Sequence, residues 1–207
     1  MEMNVSEFDK VARELFAPIY PIIAAQIIQK TKITEGACVD LGCGGGYLGL
    51  SLARITNLTV HLFDLLPEMQ EIAEKNIEEY NLAGRVTAVL GDVHALPFGD
   101  QSIDLAISRG SLFFWKDQVK AFREIYRVLA PGGRTFIGGG FGTPELKAQI
   151  TARMKQKERN WEDTLKERIG KTSKERFCTV LAQAGVADFS IDCSDAGIWI
   201  VMRREAA

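Results

Sequence analysis

Along the chain, apolar positions alternate between helical spacing and short unbroken runs. Val11, Leu15, Phe16 and Ile19, followed by Ile22, Ile23 and Ile27, recur at helical spacing between Phe8 and Lys30, with Pro18 and Pro21 interrupting. This predicts two short helices meeting at a proline bend. Ala37 to Leu41 is an apolar run that ends in glycines, and Leu48 to Ile55 is helix-like, so strand, glycine loop and helix are expected in that order. The alternation repeats with strand Thr59 to Phe63, helix Pro67 to Tyr80, strand Val86 to Leu90, strand Ile103 to Ser108 and a helix from about Lys116 to Leu129. Pro131-Gly132-Gly133 is expected as a turn that resets the chain before strand Thr135 to Gly138.

Five strands alternating with helices imply a parallel sheet covered on both faces. The end of the chain changes character: helix Lys174 to Ala184 stops at Gly185, and strands Phe189 to Cys193 and Ile198 to Met202 flank Asp195-Ala196-Gly197. Such a hairpin predicts one antiparallel strand at the edge of the sheet. Before it, Ile150, Met154, Trp161, Leu165 and Ile169 form a helical stripe, with Glu162/Lys166 and Glu167/Lys171 as supporting pairs four residues apart.

Composition narrows this to one α/β domain. The 207 residues are 46% hydrophobic and 25% charged, as expected of a soluble globular protein. Ile19 to Ile28, interrupted by Pro21 and Gln26, falls short of the ~20 apolar residues of a membrane span. The opening Glu2, Asn4, Ser6, Glu7 and Asp9 do not read as a secretory signal. A cytoplasmic protein without a membrane anchor is therefore expected. Cys38, Cys43, Cys178 and Cys193 lack zinc-site spacing and are expected as free thiols, most of them in the core; with only His61 and His94 besides, no metal site is expected. The net charge of −2 gives no global attraction for nucleic acid. Lys147 to Arg176 nevertheless holds ten Lys/Arg against five Asp/Glu, which suits either a solvated helical face or a lid that selects an anionic substrate.

The chemistry concentrates in Val39-Asp40-Leu41-Gly42-Cys43-Gly44-Gly45-Gly46-Tyr47-Leu48-Gly49. Gly44, Gly46 and Gly49 spell G-x-G-x-x-G, the dinucleotide pattern, whereas Asp40, Gly42, Gly44 and Gly46 spell acid-x-G-x-G-x-G. A carboxylate at the strand end opposes a pyrophosphate: like charges ~4 Å apart at an effective dielectric of ~20 repel by about 4 kcal/mol. A cationic ligand such as S-adenosylmethionine, with an ammonium and a sulfonium and no phosphate, reverses the sign. Asp64 ends the second strand 18 residues past Gly46, close to the ~20-residue offset at which an acid meets a ribose hydroxyl pair. Asp92, in Gly91-Asp92-Val93-His94, follows the third strand, where it could accept from an adenine amino group while the Val93 amide donates to a ring nitrogen. Each acid alone could equally be a helix N-cap; the three together line the ligand-binding edge of an open α/β sheet.

With these residues in place the sequence resembles the class I S-adenosylmethionine-dependent methyltransferases, particularly the small-molecule group that includes ubiquinone and menaquinone C-methyltransferases. VDLGCGGGYLGLSLA, HLFDLLPEM, GDVHALPF, SIDLAISRGSLFFW and EIYRVLAPGGRTFIGG carry the resemblance, in order, over Cys38 to Gly140. It implies a Rossmann-like three-layer sandwich with a mostly parallel seven-stranded sheet of order 3-2-1-4-5-7-6, strand 7 antiparallel. It also implies that Gly42, Gly44 and Gly46 bracket the methionine moiety, with Cys43 beside them, that Asp64 binds the ribose with Leu65 and Met69 nearby, and that Asp92 and Val93 meet the adenine. Ser108, Arg109 and Ser111 resemble the positions after strand 4 that meet cofactor and substrate. Tyr20 lies in the N-terminal helices that often fold over the cofactor in this family, and is expected at its methionine end. There is no N-P-P-Y after strand 4, which speaks against enzymes that methylate amino groups of nucleic acid or glutamine.

The expected activity is in-line methyl transfer to a small-molecule acceptor, with S-adenosylhomocysteine as product. Positioning and water exclusion can supply much of the acceleration; His94 and Tyr20 are the candidates should a general base be used. Phe113-Phe114-Trp115 could shape an apolar acceptor pocket or lie near the sulfonium, or pack in the core. The alternative function is a non-catalytic S-adenosylmethionine-binding sensor or assembly subunit. The expected organisation is a helical cap (1–35), a cofactor-binding core (36–140), a basic helical insert or lid (141–173) and a last helix with its hairpin (174–207).

Overall fold

A computed structural model describes residues 4–170 and 173–206. Two helices, α1 (Val5–Glu14) and α2 (Ile19–Thr31), precede β1 (Glu35–Leu41), α3 (Tyr47–Ala53), β2 (Asn57–Asp64), α4 (Pro67–Glu79), β3 (Val86–Leu90), β4 (Ile103–Arg109), a 3-10 turn (Ser111–Phe114) and α5 (Gln118–Val128). The chain continues through β5 (Leu129–Gly140), α6 (Pro144–Lys157), α7 (Trp161–Ile169), α8 (Ser173–Gln183), β6 (Phe189–Ser194) and β7 (Gly197–Met202). Local chemistry sets several of these boundaries. Asn4 and Thr143 cap α1 and α6 through their side-chain oxygens, Asp117 does the same for α5, and Pro67 and Pro144 open α4 and α6, where their missing N–H costs nothing.

The sheet has seven strands in the order β3-β2-β1-β4-β5-β7-β6. The pairs β1–β2, β2–β3, β1–β4 and β4–β5 are parallel, and β7 is antiparallel to both β5 and β6. The chain turns one way from β1 to β2 and β3 and the other way from β4 to β5, which makes the β1/β4 border the switch point where open α/β sheets bind ligands.

Alternation along each strand divides the interior into two cores. Cys38, Leu58, Val60, Leu62, Leu105, Ile107, Phe136, Trp199 and Val201 pack with residues of α2, α3, α4, α6 and α7. Val39, Leu41, Phe63, Ala106, Ile137, Ile198, Ile200 and Met202 pack on the opposite side with Phe122, Ile125, Phe177 and Leu181 of α5 and α8. The stripe read from sequence in the basic segment belongs to the first core, but on two helices, because α6 ends at Lys157.

The structure departs from the sequence expectations in four places. The hairpin signal alone put the antiparallel strand at the edge, but every residue of β7 is buried and it occupies the interior position that the order implied by the family resemblance gives it, while the less apolar β6, whose burial is partial, takes the edge. Pro131-Gly132-Gly133 lies within β5 instead of preceding it. Ile103 faces Leu129 and Leu105 faces Arg134, so this segment bulges out of register, and Gly132 and Gly133 hydrogen-bond the backbone of Arg204. Glu162 pairs with Lys155 of α6 at 2.6 Å, and Lys166 turns to Asp163 at 3.5 Å; Lys171 lies outside the described residues. All four cysteines are free thiols, yet only Cys38 is fully buried. Among the described residues, no single helix is long and apolar enough to cross a membrane.

Phe122 of α5 is completely buried, with its ring 5.6 Å from Trp115. Phe122→Ala is expected to lower the unfolding free energy by about 3–5 kcal/mol, measured by urea denaturation; a loss below about 1 kcal/mol would show that the second core is not formed as described.

Candidate functional site

The glycine loop joins β1 to α3 at the switch point. Its entry is pinned to β2: the Gly42 and Cys43 amides both donate to the Phe63 carbonyl, at 2.8 and 3.1 Å. Gly42 has φ +63°, and a Cβ there would overlap the Ser111 side chain. This close approach lets Ser111 Oγ donate to the Leu41 carbonyl at 2.8 Å, with Ser108 Oγ 2.6 Å from Ser111 Oγ. Ser108 and Ser111 thus fasten the end of β4 to the end of β1. At Gly49 a Cβ would overlap Leu62 and approach Asp40 Oδ2 to 3.1 Å. Its absence lets α3 sit directly on the sheet, with the Gly49 amide donating to Asp40 Oδ2 at 2.9 Å.

Three acids stand at the ends of three neighbouring strands, in three different states. Asp40 is 2% exposed, and among the described residues no basic side chain pairs with it. Burial pushes its pKa up to about 7; the Gly49 amide works against that shift and the Asp64 charge adds to it. Asp64 holds the loop, Oδ2 accepting from the Gly44 amide at 2.8 Å and Oδ1 from the Leu66 amide at 3.1 Å. Asp92 accepts from the His94 amide at 2.9 Å and from His94 Nδ1, which holds its carboxyl below the usual range. His94 Nε2 in turn accepts the Asp117 amide at 3.1 Å. Both ring nitrogens of His94 are engaged, which leaves no lone pair for a substrate proton.

The remaining sequence candidates divide between two places. Leu65, next to Asp64, is 61% exposed and offers an apolar surface beside the acids, while Met69 is buried in α4 and approaches Gly44 together with Phe8 of α1. Val93 is buried beside Asp92, and Gly46 abuts Leu62. Cys43 Sγ donates to the Gly44 carbonyl at 3.3 Å; burial, then Asp40 and Asp64, push its thiol well up, so it is not a nucleophile. Tyr20 of α2 stacks on Tyr47, the first residue of α3, with centroids 5.6 Å apart, and burial raises its hydroxyl to about 12, which suits a hydrogen-bond donor better than a base. Arg109 turns the other way: Nε donates to the Gly140 carbonyl of β5 at 3.1 Å, and the guanidinium lies 4.2 Å over the Phe16 ring. Of the aromatic triplet, Phe113 packs near Phe177 and Trp115 against Phe122, while Phe114 is 58% exposed under the Arg168 guanidinium.

Sequence reasoning missed the residues that hold the loop from above. Tyr47 Oη donates to Asp9 of α1 at 2.8 Å, and Asn76 of α4 donates to the Gly45 carbonyl at 2.7 Å. Tyr47 was within reach, as it sits inside the motif; Asp9 and Asn76 carry no local signal.

A Rossmann-like sheet whose switch point presents a glycine loop, a buried acid without a basic partner among the described residues and two further strand-end acids has the charge and shape that suit a cationic nucleoside. Comparisons with known proteins agree. Residues 39–137 match the family model described as a methyltransferase domain. A solved structure from Methanococcus maripaludis, described as a candidate S-adenosyl-L-methionine-dependent methyltransferase, is 42% identical, covers 100% of this chain and 98% of its own, and superposes with a TM-score of 0.95. A demethylmenaquinone methyltransferase of Lactobacillus johnsonii is 32% identical over 54% of this chain and 47% of its own length. A ubiquinone/menaquinone biosynthesis C-methyltransferase of a Geobacter species is 31% identical over 54% of this chain and 48% of its own. The chain spans about half or less of the length of the curated relatives it matches. It belongs to the class I S-adenosylmethionine-dependent methyltransferases, whose cofactor is S-adenosylmethionine.

The Asp40 shift has a consequence for stability. With a folded pKa of about 7 against an ordinary 3.8, the native state binds more protons than the unfolded chain between about pH 4 and 7. Stability without ligand therefore falls as pH rises through that window, by up to about 4 kcal/mol from this group. Asp40→Asn, which keeps an acceptor for the Gly49 amide, is expected to be more stable than wild type at pH 8 and closer to it at pH 5. Unfolding free energies of both proteins at the two pH values check this; an unchanged difference would contradict it.

Proposed function

We propose that the protein transfers the methyl group of S-adenosylmethionine to a small-molecule acceptor. The observation that carries the reading is Asp40, a buried acid beside the glycine loop that no cation among the described residues neutralises. Asp40 would hold the ammonium group, and Gly42, Gly44 and Gly46 let the backbone approach the methionine end, closed over by Tyr20, Met69 and Phe8. Each Asp64 oxygen accepts one loop amide and keeps a lone pair for a ribose hydroxyl. Leu65 offers the adenine an apolar face, and Asp92 and the Val93 amide address its edge.

When bound, S-adenosylmethionine supplies a methyl group already activated by its sulfonium. The chain's own contribution is then to position and to exclude water, through residues fixed by the loop hydrogen bonds and by the cap formed by α1 and α2. Neither sequence candidate is suited to act as a base: His94 is committed on both nitrogens, and Tyr20 ionises only near pH 12. In this reading residues 1–35 cap the cofactor, 36–140 bind it, 141–173 cover the acceptor side and 174–207 complete the sheet.

Calorimetric titration tests the proposal. S-adenosylmethionine and S-adenosylhomocysteine are expected to bind and NAD is not; binding of NAD alone would overturn the reading. Asp40→Asn and Asp64→Ala are each expected to weaken S-adenosylmethionine by tenfold or more. Because Asp40 must ionise to pair with the ammonium, wild-type affinity should rise several-fold between pH 5.5 and 7, and the Asp40→Asn profile should be flat; parallel profiles would remove Asp40 from the site.

A further inference from the structure

In the core cluster that holds Phe16, Tyr20 and Trp161, and beside Arg109, hydrogen-bond donors are left over. Arg109 uses only Nε, on the Gly140 carbonyl; among the described residues no carboxylate pairs with its guanidinium, and burial lowers its pKa. Tyr20 is 8% exposed and its hydroxyl has no hydrogen-bond partner among the described residues, with the Arg109 charge acting on it. Trp161, the first residue of α7, is also 8% exposed, and its buried Nε1 has no partner among the described residues. Phe16 ties the group together, its ring lying 4.2 Å from the Arg109 guanidinium carbon and 6.4 Å from the Trp161 ring centre.

The Trp161 indole N–H is buried without an acceptor, which is costly to the fold unless a ligand satisfies it, and the half-buried Arg109 guanidinium and the Tyr20 hydroxyl have donor capacity to spare beside it. All three can donate, so the ligand they fit is an oxyanion, and a guanidinium whose Nη atoms bond no described residue is shaped for two oxygens of one carboxylate or phosphate. The position sets Arg109 and Trp161 apart from the strand-end acids, with Tyr20 between the two sides: Asp40, Asp64 and Asp92 stand over β1, β2 and β3, whereas Arg109, at the end of β4, is bonded to β5.

We infer that Arg109, with Tyr20 and Trp161, receives an anionic group of the methyl acceptor, so that the acceptor is a carboxylate- or phosphate-bearing small molecule with α7 closing over it. This rests on the methyltransferase reading for the word acceptor, and on the side chains alone for the anion. The ten basic residues of the 147–176 segment add a favourable field for an approaching anion.

The test titrates acetate and inorganic phosphate into 15N-labelled protein, with and without saturating S-adenosylhomocysteine, following the Trp161 indole N–H resonance, which a Trp161→Phe spectrum identifies. A saturable shift with at least one anion is expected in wild type, weakened tenfold or more in Arg109→Met and partly restored in Arg109→Lys, while affinity for S-adenosylhomocysteine changes less than threefold. Absence of a saturable shift in wild type, or one that persists in Arg109→Met, would overturn the inference. A tenfold loss of S-adenosylhomocysteine affinity in Arg109→Met would also overturn it, by assigning the guanidinium to the cofactor's own carboxylate. Failure of wild type to bind S-adenosylhomocysteine would instead sink the methyltransferase reading, and the anion titration of the unliganded protein would still decide the site.

Discussion

The structure turns on one hydrogen bond, from the Gly49 amide to the buried carboxylate of Asp40. It joins the last turn of β1 to the first turns of α3, and it can form only because residue 49 has no Cβ to press on Leu62 and on the carboxylate itself. Holding an acid there is unfavourable for the empty protein, since one amide does not compensate for the lost hydration of a carboxylate. A ligand with a positive charge would compensate where the described residues do not. Stability given up at a site for the sake of binding is a common pattern in functional proteins.

Around that contact the rest of the site is arranged by sheet order. The reversal at the β1/β4 border opens a crevice with two unlike sides. Over β1, β2 and β3 the groups are carboxylates and an exposed leucine, suited to a cationic nucleoside; toward β5 they are a guanidinium, a phenol and an indole, all donors. Tyr20 lies between them, stacked on Tyr47 at the glycine loop and within the field of Arg109. The sign of charge thus changes across the crevice, as the proposed pairing of a cationic donor with an anionic acceptor requires.

Much of this was legible in the sequence because it is written in local patterns. Strand-loop-helix alternation, the glycine spacing and an acid at each of three strand ends are all short-range features, and they place Asp40, Asp64 and Asp92 correctly along the same edge. What escaped depends on partners distant in sequence. The interior place of β7, implied by the family resemblance, follows from burial on both faces, which a hairpin signal by itself does not contain. The commitment of His94 arises from Asp117, 23 residues away, and the grip of Asp9 and Asn76 on the loop comes from helices with no motif of their own. Arg109 could be read from sequence as a residue near cofactor and substrate; its lack of an acid partner could only be seen in three dimensions.

If Asp40 is the group that recognises the donor, cofactor binding must convert it from a mostly protonated acid to a carboxylate. Calorimetry of S-adenosylmethionine binding at pH 6, in two buffers of different ionisation heat, counts the protons exchanged. The account gives release of about one proton by wild type and none by Asp40→Asn. Equal proton release by the two proteins, or none by either, would contradict it.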